Sequence, residues 1–209
     1  MKTGSMAFLP SRPYVEKSVS SIKNQLDTFH IYQGDNALGD INKFRGVENL
    51  KGYLFTLDDD ILYPENYVLF MVNKIEQYSR KAVISLHGKR IKRQPIKSFY
   101  GTDFEKYRCM DRVTQDIPIH IPGTGVMAWH SSTIQFPIKD FQYKNMADIW
   151  AGIICERKKV PRICVAHKST FLQNLYQKET PAGYSCYQSN RKRDKLITQT
   201  INSIQWNKL

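Results

Sequence analysis

The chain has 209 residues and a formal net charge of +12, and 41% of its residues are hydrophobic and 12% aromatic. This composition supplies enough apolar surface for one globular core and excludes an intrinsically disordered protein. No apolar run approaches the roughly 20 residues that cross a bilayer, and the N-terminal stretch lacks the apolar segment of a secretory signal. We therefore expect a cytoplasmic protein.

The excess of basic residues predicts an anionic partner, such as nucleic acid, acidic lipid or a phosphorylated small molecule. Two basic clusters, at 89–97 and 191–195, carry much of this charge. A solvated face is the simpler explanation for each, and contact with a membrane surface or a partner protein is the functional one. The four cysteines form no C-x-x-C pair, which argues against a zinc ribbon or a thioredoxin-like site and predicts buried free thiols.

Apolar runs and helical periodicity alternate along the chain. The predicted strands lie at 3–9, 29–33, 52–57, 82–88, 118–121, 125–132 and 162–168. The predicted helices lie at 15–26, from Pro64 onward, at 146–158 and at 192–204, and residues 89–116 read as one long loop. This order predicts an α/β fold with an open, mostly parallel, twisted sheet flanked by helices in a single domain. Ligands of such sheets bind beyond the carboxyl ends of the strands.

Three consecutive carboxylates, Asp58, Asp59 and Asp60, follow the apolar strand at 52–57. Like charges this close raise one another's pKa and destabilise the fold unless a cation compensates. Oxygen ligands of this kind suit Mg²⁺ or Mn²⁺ together with a diphosphate. In an extended segment Asp58 and Asp60 would face the same side and Asp59 would turn away. A solvated turn is the alternative.

The stretch LFTLDDDILYPENYV, residues 54–68, resembles the D-x-D segment of nucleotide-sugar glycosyltransferases of the GT-A fold. It is most similar to the small bacterial family that includes the N-acetylglucosaminyltransferase of heparosan capsule synthesis. A GTG segment at 123–125, a helix containing Asp148 and an ICV strand at 163–165 follow in the same order. The resemblance covers about residues 3–170.

The resemblance implies a GT-A domain at 1–183, followed by a basic C-terminal helix or tail at 184–209. Within that domain, about 1–88 would bind the nucleotide and about 117–183 the acceptor. The implied donor is a UDP-sugar of the UDP-GlcNAc or UDP-glucose type, the implied acceptor is a glycan hydroxyl, and the implied cofactor is Mn²⁺ or Mg²⁺.

By the same resemblance, Pro10, Ser11 and Arg12 would lie against the nucleotide, although Arg12 is equally explained as a structural ion pair. Asp40 and Lys43 belong to a segment similar to the family's D-x-G-K-F element, with Asn42 where the family has glycine. They would border the base and the diphosphate.

The resemblance also implies roles for the three aspartates and two histidines. Asp58 would contact the ribose and the metal's water, Asp60 would be the principal metal ligand, and Asp59 would hold the donor sugar or a neighbouring basic group. His167 would be a further metal ligand or else an edge histidine. His87 would line the sugar pocket.

The carboxylate of Asp148 would be the catalytic base if the reaction inverts the anomeric centre. It would bind the acceptor or stabilise the transition state if the reaction is retaining, and capping of the helix is the structural alternative. Gly123, Thr124 and Gly125 would let the backbone approach the donor sugar or the acceptor, or would form a simple turn. Trp129 and Trp150 read as core residues rather than sugar platforms.

Two other functions fit parts of the sequence. A metal-dependent nucleotidyltransferase or nuclease would also use a D-x-D segment. A basic nucleic-acid-binding module would explain the charge, but no nucleic-acid-binding motif is present and the acidic triplet would repel phosphate, so we expect no nucleic-acid partner.

Overall fold

The computed structural model describes residues 5–9, 29–33, 36–175 and 193–209, with side chains from residue 37 onward. Pro10, Ser11, Arg12, Cys186 and the helix predicted at 15–26 lie outside the described residues. None of the helices in the described part is long and apolar enough to span a membrane.

The described chain is a mixed α/β structure, as the alternation of apolar patterns predicts. Its strands are β1 (Ser5–Leu9), β2 (Phe29–Gln33), β3 (Tyr53–Leu57), β4 (Ile61–Leu62), β5 (Val83–Ser85), β6 (Gly88–Ile91), β7 (Phe104–Tyr107), β8 (Ile117–Pro118), β9 (Ile121–Pro122), β10 (Val126–His130), β11 (Arg162–Cys164) and β12 (Gln173–Asn174). Its α-helices are α1 (Tyr67–Gln77), α2 (Ala147–Arg157) and α3 (Asp194–Asn202). Short 3-10 segments occupy Asn36–Phe44, Val47–Asn49 and Ile138–Asp140.

The largest described sheet has five strands in the order β3-β10-β5-β11-β8. The prediction of a mostly parallel sheet is wrong here, because β10 pairs antiparallel with both of its neighbours and β8 pairs antiparallel with β11. β11 pairs parallel with β5. Strands β3, β5 and β11 nevertheless run in one direction, so their carboxyl ends lie at the same edge of the sheet.

Three smaller sheets complete the described strands. β1 and β2 pair in parallel, in line with the parallel strands that the sequence predicts. β4 pairs with β12, and β6 lies between β7 and β9.

The apolar run at 82–88 is divided between two sheets, since β5 ends at Ser85 and β6 begins at Gly88. The prediction of one long loop at 89–116 is also wrong, because the segment contains most of β6 and all of β7. The sequences of β6 and β7 do not alternate clearly between polar and apolar residues, so periodicity does not predict them as strands.

The sheet has helices on both faces. Along β10, Met127 and Trp129 pack into the cluster that contains residues of α2 and α3, while Val126 and Ala128 pack into the cluster that contains residues of α1. This alternation follows from the two-residue period of a strand. The tail helix was expected near 192–204, and α3 buries Ile197 and Ile201 as that pattern predicts.

Candidate functional site

Several of the predicted site residues lie close together where β3 and β5 end and β10 begins. The register pairs Leu57 with Val126 and Ser85 with Met127. Asp58 follows β3, His87 lies two residues beyond β5, and Gly125 precedes β10. Three segments distant in sequence therefore place their polar residues at one edge of the sheet.

The two glycines of the GTG segment make room for two of these side chains. A Cβ on Gly123 would lie 2.7 Å from the Cβ of His87, and a Cβ on Gly125 would overlap the Asp58 carboxylate. Glycine at 123 and 125 thus has a packing reason within the protein, because nothing larger fits beside Asp58 and His87.

Asp58 forms an ion pair with Lys43, which comes from the 3-10 segment Asn36–Phe44. Burial lowers the pKa of Lys43, but the nearby carboxylates of Asp58, Asp148 and Asp40 outweigh burial, and the pKa is raised. Lys43 therefore stays protonated across the physiological range, as a fixed positive charge among acids.

The triplet of aspartates does not continue the strand. Residues 59 and 60 form a turn between β3 and β4, so the alternation expected of an extended segment does not apply. Burial and the neighbouring charges of Asp58 and Asp59 raise the pKa of Asp60. This corner of the protein holds more negative charge than Lys43 alone balances.

Asp148 lies in the first turn of α2 and is bound to the GTG segment. Its Oδ1 accepts hydrogen bonds from the Thr124 backbone N–H at 2.8 Å and the Thr124 hydroxyl at 2.6 Å. No side chain caps α2 from the residue that precedes it. The capping role considered for Asp148 belongs instead to Asp40, whose Oδ2 accepts the Ala147 N–H at 3.0 Å.

Asp40 is held in an unusual environment for a carboxylate. Burial raises the pKa of Asp40 to about 6, and the Asp148 charge adds to this effect. Its Oδ1 is buried and has no hydrogen-bond partner among the described residues. The preceding residue, Gly39, has a φ of +58° and lies against the Asn145 side chain, which a Cβ would strike.

His87 is half-buried beside these groups. Its Nδ1 lies 3.4 Å from the backbone nitrogen of Cys109, which donates to it. Burial lowers the pKa of His87, so the imidazole is neutral at pH 7. A neutral ring can accept or donate a hydrogen bond to a ligand hydroxyl.

His167 follows β11, which β5 and β10 separate from β3 in the sheet. Strands lie about 4.8 Å apart, so this order puts β11 about 14 Å from β3. The Nδ1 of His167 lies 2.7 Å from the Val165 carbonyl, and its Nε2 is buried without a partner among the described residues. Within that part of the chain, no group of three or more His, Cys, Asp or Glu side chains is placed to hold a metal ion.

Several residues that shape this site were not singled out from the sequence. Tyr63 accepts the Asp58 N–H at 2.9 Å and donates to the Gly125 carbonyl at 2.5 Å, and so ties the aspartate segment to the GTG segment. Its position inside the DDDILYP block was the available signal. Lys89 was assigned only to a basic cluster, yet its ammonium lies 3.2 Å from the centre of the Phe99 ring.

Trp129 and Trp150 are core residues, with 0% and 2% of their surfaces exposed. The three described cysteines, Cys109, Cys155 and Cys164, are free, and the last two are buried. The interpretation of the two tryptophans as core residues is confirmed. The prediction of buried free thiols is confirmed for Cys155 and Cys164, whereas Cys109 is free but only partly buried.

A scan against models of known protein families found no match, and a search of curated proteins found no significant match.

Proposed function

We propose that this protein is a metal-dependent glycosyltransferase with a GT-A type domain, which moves a sugar from a UDP-sugar to a hydroxyl of a glycan. The observation that supports it best is the meeting of the D-x-D segment, Lys43, the GTG segment and Asp148 at one edge of the sheet. These four features come from segments up to 105 residues apart. They are the features on which the resemblance to this enzyme class rests.

The carboxylates at 58–60 are suitable ligands for a divalent cation. Three carboxylates at 58–60 and the ammonium of Lys43 leave two negative charges, which one divalent cation would balance. Mg²⁺ and Mn²⁺ commonly take only one or two protein carboxylates, with phosphate oxygens and water as the other ligands. Asp58 and Asp60 would hold the ion, which would stabilise negative charge on the departing diphosphate.

Lys43 supplies a second positive charge for the donor. In the described structure the Lys43 ammonium pairs with Asp58. A bound diphosphate would compete with Asp58 for this ammonium. His87 and the 123–125 backbone lie next to Asp58, where the donor sugar would follow the diphosphate. Asp59 is exposed on the turn and would reach the donor from the solvent side.

The transfer forms a bond between the acceptor oxygen and the anomeric carbon and breaks the bond from that carbon to the diphosphate. The bonding electron pair leaves with UDP. In an inverting reaction Oδ2 of Asp148 takes the acceptor proton, because Oδ1 is already bound to Thr124. In a retaining reaction Asp148 holds the acceptor hydroxyl, and the proton passes to the departing phosphate.

Metal-dependent binding of UDP tests this function. Calorimetry with UDP should show binding in the presence of Mn²⁺ and little in EDTA. An Asp58→Ala/Asp60→Ala variant should lose at least about tenfold in affinity because both proposed ligands are gone. A Glu48→Ala/Glu105→Ala variant, which removes two exposed acids outside the 58–60 turn, is the matched control and should bind normally.

A hydrolysis screen of UDP-, GDP- and dTDP-sugars with Mn²⁺ would then name the donor. UDP that produces no metal-dependent heat in the unaltered protein would contradict the proposal. Release of pyrophosphate or cleavage of nucleic acid, without release of free sugar, would instead indicate a nucleotidyltransferase or nuclease.

A further inference from the structure

A pocket of about 110 Å³ lies beside Asp148. Three parts of the chain line it: the segment leading into α2, the loop carrying Phe99 and Tyr100, and α3 through Ile197. Asp40 and Asp148 also line it. The pocket therefore joins the two carboxylates of the candidate site to an apolar and aromatic wall.

The pocket is open to solvent on one side, so it can contact one face of a sugar ring while the rest of an acceptor stays in solvent. Its lining also suits a sugar, since carbohydrate rings present both C–H groups and hydroxyls. Asp40 and Asp148 place two carboxyl groups in the pocket lining, beside the position of such a ring.

The aromatic wall is held in place by α3. Oδ1 of Asp194 accepts the Phe99 N–H at 2.9 Å, and Oδ2 accepts the Ser98 hydroxyl at 2.7 Å. The hydroxyl of Thr198 lies 3.1 Å from the same Phe99 nitrogen. The Asn202 side chain binds both the N–H and the carbonyl of Ile96, each at 2.9 Å.

Lys89 contributes a charge to the same wall. Its ammonium lies over the Phe99 ring and within 5.5 Å of the Tyr100 ring centre. Burial lowers the pKa of Lys89 to about 8, and the nearby charges of Asp148 and Asp194 partly oppose that effect. The contact packs Phe99 from the side of β6 while Asp194 holds its backbone.

We propose that this pocket binds the terminal sugar ring of the acceptor, and that α3 is its positioning element, acting through Asp194. The inference rests on the proposed glycosyltransferase function. In the bound complex the ring lies against Tyr100 and Ile197, and the reacting hydroxyl faces Asp148.

Asp194 is the residue to change, because it binds the loop at Ser98 and Phe99 and contacts none of the residues proposed to bind the UDP-sugar. The variants are Asp194→Ala, the conservative Asp194→Asn, and Gln199→Ala as a control on the exposed side of α3. Each is assayed for UDP-sugar hydrolysis without acceptor, and for transfer to para-nitrophenyl glycosides of glucose, galactose, N-acetylglucosamine and glucuronic acid. Thermal unfolding is recorded for every variant.

Asp194→Ala should raise the acceptor KM by about tenfold or more while the rate of donor hydrolysis stays within about twofold. Asp194→Asn should recover part of the loss, because its Oδ1 still accepts the Phe99 N–H. Gln199→Ala should behave as the unaltered protein.

Three results would overturn the inference. An unchanged acceptor KM in Asp194→Ala would show that the loop is not part of the acceptor site. A parallel fall in transfer, hydrolysis and thermal stability would show a merely structural role. Donor hydrolysis with no transfer to any of the single-ring glycosides would show that the pocket is not an acceptor site. A lack of donor hydrolysis in the unaltered protein would instead remove the proposed function, and this inference with it.

Discussion

Asp40 connects two segments that are 107 residues apart, because its carboxylate accepts the first N–H of α2. A negative charge is favourable at a helix N-terminus, which explains part of this placement. Burial opposes it, and burial is the larger effect, since the pKa is raised to about 6. A charged Asp40 therefore lowers the stability of the fold at neutral pH.

The raised pKa of Asp40 predicts a specific pH dependence. Between about pH 4 and pH 6 the folded protein retains the Asp40 proton while the unfolded chain has lost it, so the free energy of unfolding falls as pH rises. A shift of about two pKa units corresponds to at most about 3 kcal/mol. The Asp40→Asn variant lacks this effect, and its stability relative to the unaltered protein should increase by up to that amount from about pH 4 to pH 7.

Urea unfolding over this pH range measures the difference, with the exposed-site variant Asp111→Asn as the control. A stability difference between Asp40→Asn and the unaltered protein that does not change with pH would contradict the assignment of the pKa.

Single residues could be predicted where a local pattern carries the signal. The triplet at 58–60 stood out because adjacent carboxylates after an apolar strand are costly, and the two GTG glycines because small residues mark close approach. The partners could not be predicted in the same way. Nothing local in the sequence shows that Asp40 caps α2, or that Lys89 lies on Phe99, because these contacts join residues between 10 and 107 positions apart.

At the scale of elements, α2 is fastened to the rest of the chain by a buried ion pair. Glu156 near its C-terminal end binds Arg162 of β11 at 2.6 Å, and only 4% of each side chain is exposed. The other carboxylate oxygen of Glu156 accepts the Asn207 N–H at 2.9 Å. One side chain thus joins α2, β11 and the segment after α3.

Removal of Glu156 should therefore be strongly destabilising. Glu156→Ala leaves the Arg162 guanidinium buried without its carboxylate, and the loss of one partner of a buried ion pair typically costs about 3–5 kcal/mol. The matched control is Glu76→Ala on α1, which breaks the pair with Arg80 just beyond that helix, and both of these side chains are more than 40% exposed. That control should change stability little.

Urea denaturation monitored by tryptophan fluorescence compares the two variants, and Trp206 lies next to the affected segment. Equal stability of Glu156→Ala and Glu76→Ala would mean that the buried pair does not fasten α2.

Element types were predictable where the apolar period was long and clear. The helices at 146–158 and 192–204 appear as α2 and α3 with slightly shorter bounds, and the strands at 29–33 and 52–57 appear as β2 and β3. The strands β6 and β7 were not predictable, because residues on a small sheet that is only partly buried do not alternate cleanly. Strand direction was equally hidden, since it depends on which strands pair.

For the whole molecule, the net charge of +12 is not spread over one uniform basic face. Within the cluster at 89–97, Lys89 is packed on aromatic rings, Arg93 pairs with Asp103 at 2.8 Å, and Lys92 and Lys97 are exposed. The expectation of a single solvated cluster is therefore too simple. Lys92 and Lys97 are therefore two residues of the cluster that can meet an anionic surface, and the Arg93 side chain is 64% exposed as well.

The proposed contact with an anionic membrane surface can be tested through these two lysines. A Lys92→Glu/Lys97→Glu variant should sediment less with phosphatidylglycerol vesicles than a Lys51→Glu/Lys81→Glu variant of equal net charge. Binding of the unaltered protein should fall as salt rises, because screening lengths are only about 8–10 Å at physiological ionic strength. Phosphatidylcholine vesicles provide the uncharged control.

Equal losses in the two charge-reversed variants would show that net charge alone governs binding. No binding to anionic vesicles at low salt would contradict a membrane role for the cluster.

The sequence by itself determined the α/β class and most of the long helices and strands, and it predicted the acidic triplet as a candidate cation site. These depend on local periodicity and on charges adjacent along the chain. Only the tertiary structure decided which ends of which strands meet, that Lys43 rather than another base faces Asp58, and that α3 closes a pocket beside Asp148. Such contacts depend on strand order and packing between distant segments, which no local pattern encodes.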